Sequence, residues 1–387
     1  MKTIIRNGSI LTPDVLISDC QVVIENERIL GIDPIGELEA GTVSIDARGN
    51  YIVPGLIDIH MHGADGFDTM DASSDAIYRI GRFIGKHGVT SFLPTTMSAS
   101  PEHILAAIQA VSTALPQADG ARPLGIHLEG PFLSQDYRGA QPSHHLRSAD
   151  PREYELWLEN KDVRLITVAP EVTGVLGLIR AGRHTGIEFA LGHTNASYEQ
   201  ALEAMNLGLS QATHTFNGMP PLNHRSPGVL GAVLSEDRIK AQIITDGIHV
   251  HPAVVKFLVK AKGVENTILI TDSIRATGMP DGDYALGDQQ VHVRDGIARS
   301  QTGGLAGSTL SMDQAIRNIM KFADLSLQEA LPMATSVPAA ALGLQSRKGR
   351  IAAGCDADIV ILDGTCHVCL TMVAGQVVYQ KLVSGSD

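Results

Sequence analysis

Eight short apolar runs, separated by stretches with helical spacing, occupy the middle of this chain. They are Ile52–Ile59, Thr90–Pro94, Leu124–Leu128, Arg164–Val168, Glu188–Leu191, Gln211–Thr213, Lys240–Ile244 and Thr267–Ile270. Apolar runs of this length without alternation read as strands buried on both faces, the condition of a parallel sheet covered by helices. The spacing predicts intervening helices over Ser74–His87, Pro101–Leu115, Pro151–Glu159, Val175–Arg183, Tyr198–Leu207 and Pro252–Lys262. Pro101, Pro151 and Pro252 suit first-turn positions, where no amide donor is needed. Ser311–Phe322 and Ser326–Leu342 read as closing helices. Eight strands of this kind favour an α/β fold of the closed (β/α)8, TIM-barrel type over an open sheet. No G-x-G-x-x-G follows the first run, which argues against a doubly wound dinucleotide fold.

The two ends follow a different pattern. Thr3–Arg6, Ser9–Leu11, Asp19–Glu25, Arg28–Ile32 and Val43–Asp46 read as short strands, and so do Asp358–Leu362, Val368–Val373 and Gln376–Tyr379. Turn signals such as Asn7-Gly8 and Glu25-Asn26 separate them. Neither end is large enough to bury a core alone. We expect residues 1–50 and 345–387 to form one small β-sandwich domain, with residues 51–344 as the barrel. A chain of 387 residues accommodates both and is too short for two barrels.

The net charge of −12 argues against nucleic-acid or anionic-membrane partners, and an aromatic content of 4% leaves no stacking platform for bases. No apolar run reaches membrane-spanning length. The opening MKTIIRNGSILTPD lacks the long apolar centre of a signal peptide. Cys20, Cys355, Cys366 and Cys369 lie near the ends. The pair Cys366-x-x-Cys369 has no second pair at zinc-finger spacing, so all four read as structural thiols. Reduced cysteines fit a cytoplasmic location.

Chemistry concentrates where the apolar runs end. In VPGLIDIHMHG, His60 and His62 are two residues apart and point to one face of a strand. Imidazole is the commonest protein metal ligand. Glu129 ends LGIHLEG, His193 follows in ALGHT, and His214 follows in ATHTFN. Glu129, His193 and His214 make a set of two histidines and one carboxylate with an open position, the pattern of a catalytic metal. With His60 and His62 there are ligands for two divalent cations sharing Glu129. Zn, Fe, Mn and Co all suit such a set. Asp272 ends TILITDS and is placed to accept a proton from water and donate it to a leaving amine. His127 reads as supporting or structural. His87, His103, His184, His292 and His367 read as core or surface residues. Arg225 offers a planar fork for a phosphate or carboxylate. His249 is a candidate hydrogen-bond partner for a hydroxyl, and Leu305, Ala306, Gly307 and Ser308 offer backbone donors before a helix.

The ordered motifs PGLIDIHMHG, HLEGPF, LGHT, THTFNGM, HRSPG, DGIH, ITDS and LAGS resemble those of the N-acetylglucosamine-6-phosphate deacetylases of the amidohydrolase superfamily. The resemblance spans about residues 50 to 310. It implies metal-dependent hydrolysis of the N-acetyl group of a small sugar phosphate and, by analogy, a homodimer. It matches Glu129, His193 and His214 to metal ligands and Asp272 to the acid/base. Ala140, Gln141, Asn217, Gly218, Arg225, His249 and residues 305–308 match substrate-contacting positions. Some members carry Gln and Asn where His60 and His62 stand, so this chain resembles the binuclear branch. Many members have His in a K-G-A-H motif whose counterpart here is Arg138-Gly139-Ala140-Gln141; Gln141 is expected to donate to a carbonyl or hydroxyl. An N-acetylgalactosamine-6-phosphate deacetylase would share every metal and acid/base residue. Dihydroorotase- and hydantoinase-like enzymes bridge two metals with a Lys late in the fourth strand, and VRLITVAP has none.

Overall fold

The computed structural model describes residues 1–12, 15–115 and 119–381. Eight parallel strands follow one another around a barrel: Leu56–Met61, Val89–Thr96, Ile126–Glu129, Val163–Val168, Glu188–Leu191, Gln211–Ala212, Lys240–Ile244 and Thr267–Ile270. Each pairs with the next, from Phe92↔Asp58 on one side to Ile244↔Ile270 on the other. The ring closes between the first and last strands: the Asp272 amide donates to the His60 carbonyl at 2.9 Å, and the His62 amide donates to the Ser273 carbonyl at 2.8 Å. These two bonds place three of the candidate residues side by side. The (β/α)8 expectation is met.

The helices Ser74–Gly85, Pro101–Ala114, Pro151–Leu158, Val175–Gly182, Tyr198–Leu207 and Pro252–Lys262 lie where the spacing predicts them, shortened by one or two residues in four cases. Proline opens three of them, and in those three Ser100, Asp150 and His251 accept from the first-turn amides. A further helix, Gly228–Ser235, connects the sixth and seventh strands. The closing segment Ser326–Leu342 is not one helix. Pro332 and Pro338 break it into Leu327–Ala330, a 3-10 turn at Leu331–Ala334 and Ser336–Ala341.

The predicted first strand, Ile52–Ile59, is two strands divided at Gly55. Tyr51–Pro54 joins a six-stranded sheet with Ser9–Leu11, Leu16–Ile17 and the C-terminal strands Ile359–Leu362, Val368–Val373 and Gln376–Gln380. Lys2–Arg6, Cys20–Glu25, Arg28–Pro34 and Val43–Asp46 form a second, four-stranded sheet. Ile5, Val22, Ile24, Ile52, Ile359 and Met372 pack in a buried cluster drawn from both sheets, a sandwich built from the two chain ends. A three-stranded antiparallel meander, Gly282–Leu286, Gln289–Arg294 and Ile297–Ser300, follows the last barrel strand.

Candidate active site

Each candidate ligand lies at or just beyond a strand end, at the mouth that barrel enzymes use. Glu129 is the last residue of the third strand. His193, His214 and Asp272 each stand two residues past the fifth, sixth and eighth strands. All three have positive φ, at 46°, 28° and 49°. Left-handed backbone is costly for residues with a Cβ, and such strain concentrates at functional sites. Here it turns three side chains toward one point. Close packing supports His193: a Cβ on Gly218 (φ +62°) would come within 2.7 Å of its Nδ1, so only glycine fits there.

The six side chains converge. His193 and His214 place their Nε2 atoms 3.2 and 3.0 Å from Glu129 Oε1 and 3.1 Å from each other. His60 Nε2 lies 3.6 Å from Glu129 Oε1 and 3.4 Å from Asp272 Oδ1. His62 Nε2 lies 3.3 Å from both Glu129 Oε2 and Asp272 Oδ1. All six are buried.

The hydrogen bonds behind these rings determine what the cluster needs. His62 Nδ1 donates to the Thr95 carbonyl at 3.2 Å and His193 Nδ1 donates to the Tyr137 carbonyl at 2.9 Å. His60 Nδ1 donates to Gln242 Oε1 at 3.3 Å. A neutral imidazole with Nδ1 protonated has only a lone pair at Nε2. Lone pairs therefore face carboxylate oxygens across the cluster centre, and buried His60 Nε2 has no hydrogen-bond partner. Acceptors facing acceptors call for a cation. Two groups, His60–His62–Glu129 and Glu129–His193–His214, each hold their ligand atoms within 4.8 Å of one another and fit a divalent metal ion.

The electrostatics show the same demand for positive charge at the cluster centre. Burial alone would raise Glu129 and Asp272. The surrounding imidazoles instead hold Glu129 well below the usual carboxylate range, and His60 and His62 lower Asp272. Burial pushes His60 down to about 4. Burial also opposes charge on His62, yet Asp272 and Glu129 raise it well above its ordinary value: the two carboxylates draw a positive charge to its Nε2, whether a proton or a metal ion in the proton's place.

A cavity of 260 Å³ opens onto the cluster. Of the predicted contact residues, Ala140, Gln141, Asn217, Gly218, His249, Leu305 and Gly307 line it. His249 is held there by Asp246, whose Oδ2 lies 2.6 Å from Nδ1. Arg225, Ala306 and Ser308 do not line the wall. Arg225 is exposed, Ala306 is buried, and Ser308 Oγ donates to the Thr271 carbonyl at 2.6 Å. Gln141 has partners within the protein as well: its Nε2 donates to Glu129 Oε2 at 2.7 Å and its Oε1 accepts from the Ser98 amide at 2.8 Å, which leaves one N–H of the amide for the cavity that it lines.

Three features escaped the sequence reading. Asp58, one strand alternation below His60, is fully buried; burial raises it to about 7, although it accepts from Thr271 Oγ1 at 2.5 Å and from the His60 amide at 3.2 Å. The same-face spacing Asp58-x-His60-x-His62 was the available signal. Gln242, in the seventh strand, orients His60 and donates to Gln211 Oε1. Ser300 and Thr302, after the unpredicted meander, line the cavity. His127 stands behind the cluster, its ring 4.7 Å from that of His60 and its Nε2 2.7 Å from Thr167 Oγ1.

The family model of the amidohydrolase family matches residues 51–379. The chain belongs to the amidohydrolase family. Among amidohydrolases it is similar to the N-acetylglucosamine-6-phosphate deacetylase of Lysinibacillus sphaericus, with 40% identity over 87% of this chain and 88% of the relative. It is also similar to the N-acetylgalactosamine-6-phosphate deacetylase of Escherichia coli O157:H7, with 35% identity over 97% and 99%. The crystal structure of the N-acetylglucosamine-6-phosphate deacetylase from Pasteurella multocida superimposes with a TM-score of 0.93 at 30% identity, over 97% of this chain and 99% of that one.

Proposed function

We propose that this chain hydrolyses the N-acetyl group of N-acetyl-D-glucosamine 6-phosphate, giving D-glucosamine 6-phosphate and acetate. The observation that carries the hydrolytic reading is the buried meeting of four imidazole Nε2 atoms with Glu129 and Asp272 at the barrel mouth. The sugar rests on the relatives: the N-acetylglucosamine-6-phosphate deacetylase matches at 40% identity, against 35% for the N-acetylgalactosamine enzyme.

Glu129, His193 and His214 would hold one divalent ion, and His60, His62 and the shared Glu129 a second, with Zn, Fe, Mn and Co all compatible with the donor set. When bound, such an ion supplies the Lewis acidity that makes water nucleophilic near neutral pH. Asp272 takes the proton of the water that adds to the acetamide carbonyl. It returns that proton to the nitrogen as the C–N bond breaks. Gln141 holds Glu129 in place and, with Ala140, Asn217, Gly218, Leu305 and Gly307, lines the cavity that receives the sugar. His249, Ser300 and Thr302 stand on the cavity wall where binding at a distance from the amide orients it. Arg225, outside the wall, is assigned no contact.

The same reading makes the protein a cytoplasmic homodimer, supported by four free cysteines and by the family resemblance. Among the described residues no helix is long and apolar enough to cross a membrane. It also divides the chain into the end-built β-domain and the barrel. The pairing of Tyr51–Pro54 with Ile359–Leu362 supports moving the first boundary from residue 50 to Gly55. Residues 382–387 of that domain lie outside the described residues.

Acetate release from N-acetylglucosamine 6-phosphate, N-acetylgalactosamine 6-phosphate and unphosphorylated N-acetylglucosamine, compared side by side, tests the substrate. The first should give the highest kcat/KM. A higher value for the galactosamine ester would reassign the substrate.

A further inference from the structure

Among the described residues, one more set of side chains of the types that ligate metals is assembled away from the barrel centre. His144 and His145 occupy the 3-10 turn Ser143–His145. Asp288 stands at the tip of the hairpin joining Gly282–Leu286 to Gln289–Arg294. His144 Nε2 lies 3.2 Å and His145 Nε2 3.7 Å from Asp288 Oδ2, with the two rings 4.1 Å apart. One ligand atom from each residue falls within a 4.8 Å group. We propose that His144, His145 and Asp288 form a separate cation site for one zinc-like divalent ion, and that this ion ties together two rims of the cavity.

Two imidazoles and a carboxylate favour Zn²⁺, Co²⁺, Ni²⁺ or Cu²⁺ over Mg²⁺ or Ca²⁺, which prefer all-oxygen sets. The three ligands come from two elements far apart in sequence, so the ion is a cross-link as well as a surface decoration. Both elements reach the cavity. Gly139, Ala140 and Gln141, just before the histidine turn, line it, and so does Leu286, two residues before Asp288. None of the three ligands themselves lines the cavity, so they take no part in the chemistry. His144 and Asp288 are exposed, at 65% and 47% of their side-chain surface, and their replacement leaves the core untouched. An ion bound there restrains the mouth through which substrate enters and product leaves. Excess zinc is then expected to slow turnover.

The test uses the holoprotein with its barrel-centre metal retained. ZnCl₂ is titrated by calorimetry, and uptake is checked by elemental analysis after equilibrium dialysis. Wild type should take up about one more Zn²⁺ per chain than the double variant His144→Gln, Asp288→Asn, as expected for a discrete site of protein ligands. Without added zinc the two proteins should share the same kcat/KM and melting temperature. Excess zinc should reduce kcat several-fold in wild type and leave the variant unaffected. Equal zinc uptake by both proteins would overturn the site. Equal inhibition of both, despite lost uptake, would overturn its action on the cavity mouth.

Discussion

Three residues at the barrel mouth, His193, His214 and Asp272, sit in left-handed backbone that only the surrounding fold sustains. In the proposed mechanism Asp272 is the one of these that carries the proton. Asp272→Asn should preserve the fold and most of the bound metal while lowering kcat by roughly 10²–10⁴-fold, the usual contribution of a general acid/base. Steady-state kinetics alongside metal analysis checks it, and a variant retaining half of the wild-type kcat would remove Asp272 from proton transfer. Changing His60 to Gln and His62 to Asn should lower metal content by about one ion per chain, because Glu129, His193 and His214 remain a complete open site. Wild-type protein that holds a single ion under metal-replete conditions would return both histidines to a supporting role. The convergence of these side chains was legible because each stands at or just past the end of an apolar run. The commitment of Gln141 to Glu129 was not legible, because a side-chain amide reads the same whether it faces a ligand or a neighbour. Asp58 was hidden for a related reason: a carboxylate inside an apolar run carries no sign of the Thr271 hydroxyl that receives it.

At the level of elements, unbroken apolar runs located seven of the eight barrel strands directly, and the ends of Glu188–Leu191, Lys240–Ile244 and Thr267–Ile270 fell where expected. The first run was misread because Tyr51–Pro54 and Leu56–Met61 are both buried, so hydrophobicity does not mark the change of sheet. Gly55 marks it. A Cβ there would lie 2.1–2.7 Å from the Thr90 side-chain atoms, and the Gly55 amide donates to the Asp358 carbonyl as the chain crosses from sandwich to barrel. Gly55→Ala should therefore destabilise by about 1–3 kcal/mol, the usual cost of overpacking. Denaturant unfolding checks this, and an unchanged midpoint would mean that Thr90 yields freely. The helix Gly228–Ser235 was missed because GVLGAVLS has no polar face to show a helical period. The meander had better signals, including the Asp295-Gly296 turn between alternating segments.

Across the whole molecule, Asp313 links parts remote in sequence. It opens the helix Met312–Ala323 and meets His87 Nδ1 at 3.0 Å and Arg317 Nη1 at 2.9 Å, while Arg317 also donates to the Cys366 carbonyl. Burial opposes its charge, but His87, Ser311 and Arg317 hold its carboxyl well below the usual range. A carboxylate depressed in the folded state stabilises above its unfolded pKa, near 3.9, and loses that contribution as the pH falls further. Asp313→Asn should cost about 1.5–3 kcal/mol at pH 7, the contribution of hydrogen bonds to a charged group. The gap from wild type should narrow below about pH 4. A gap independent of pH would mean that the charge of Asp313 contributes nothing.

The central claim is that this barrel mouth removes an acetyl group with a metal bound among His60, His62, Glu129, His193 and His214. Its most direct test follows N-acetylglucosamine 6-phosphate by proton NMR with metal-replete, chelated and re-metallated protein. The account predicts acetate and glucosamine 6-phosphate in equal amounts, loss of both on chelation, and recovery when a divalent ion is restored. Folded, metal-replete protein that releases no acetate, or chelated protein that releases it undiminished, would contradict it.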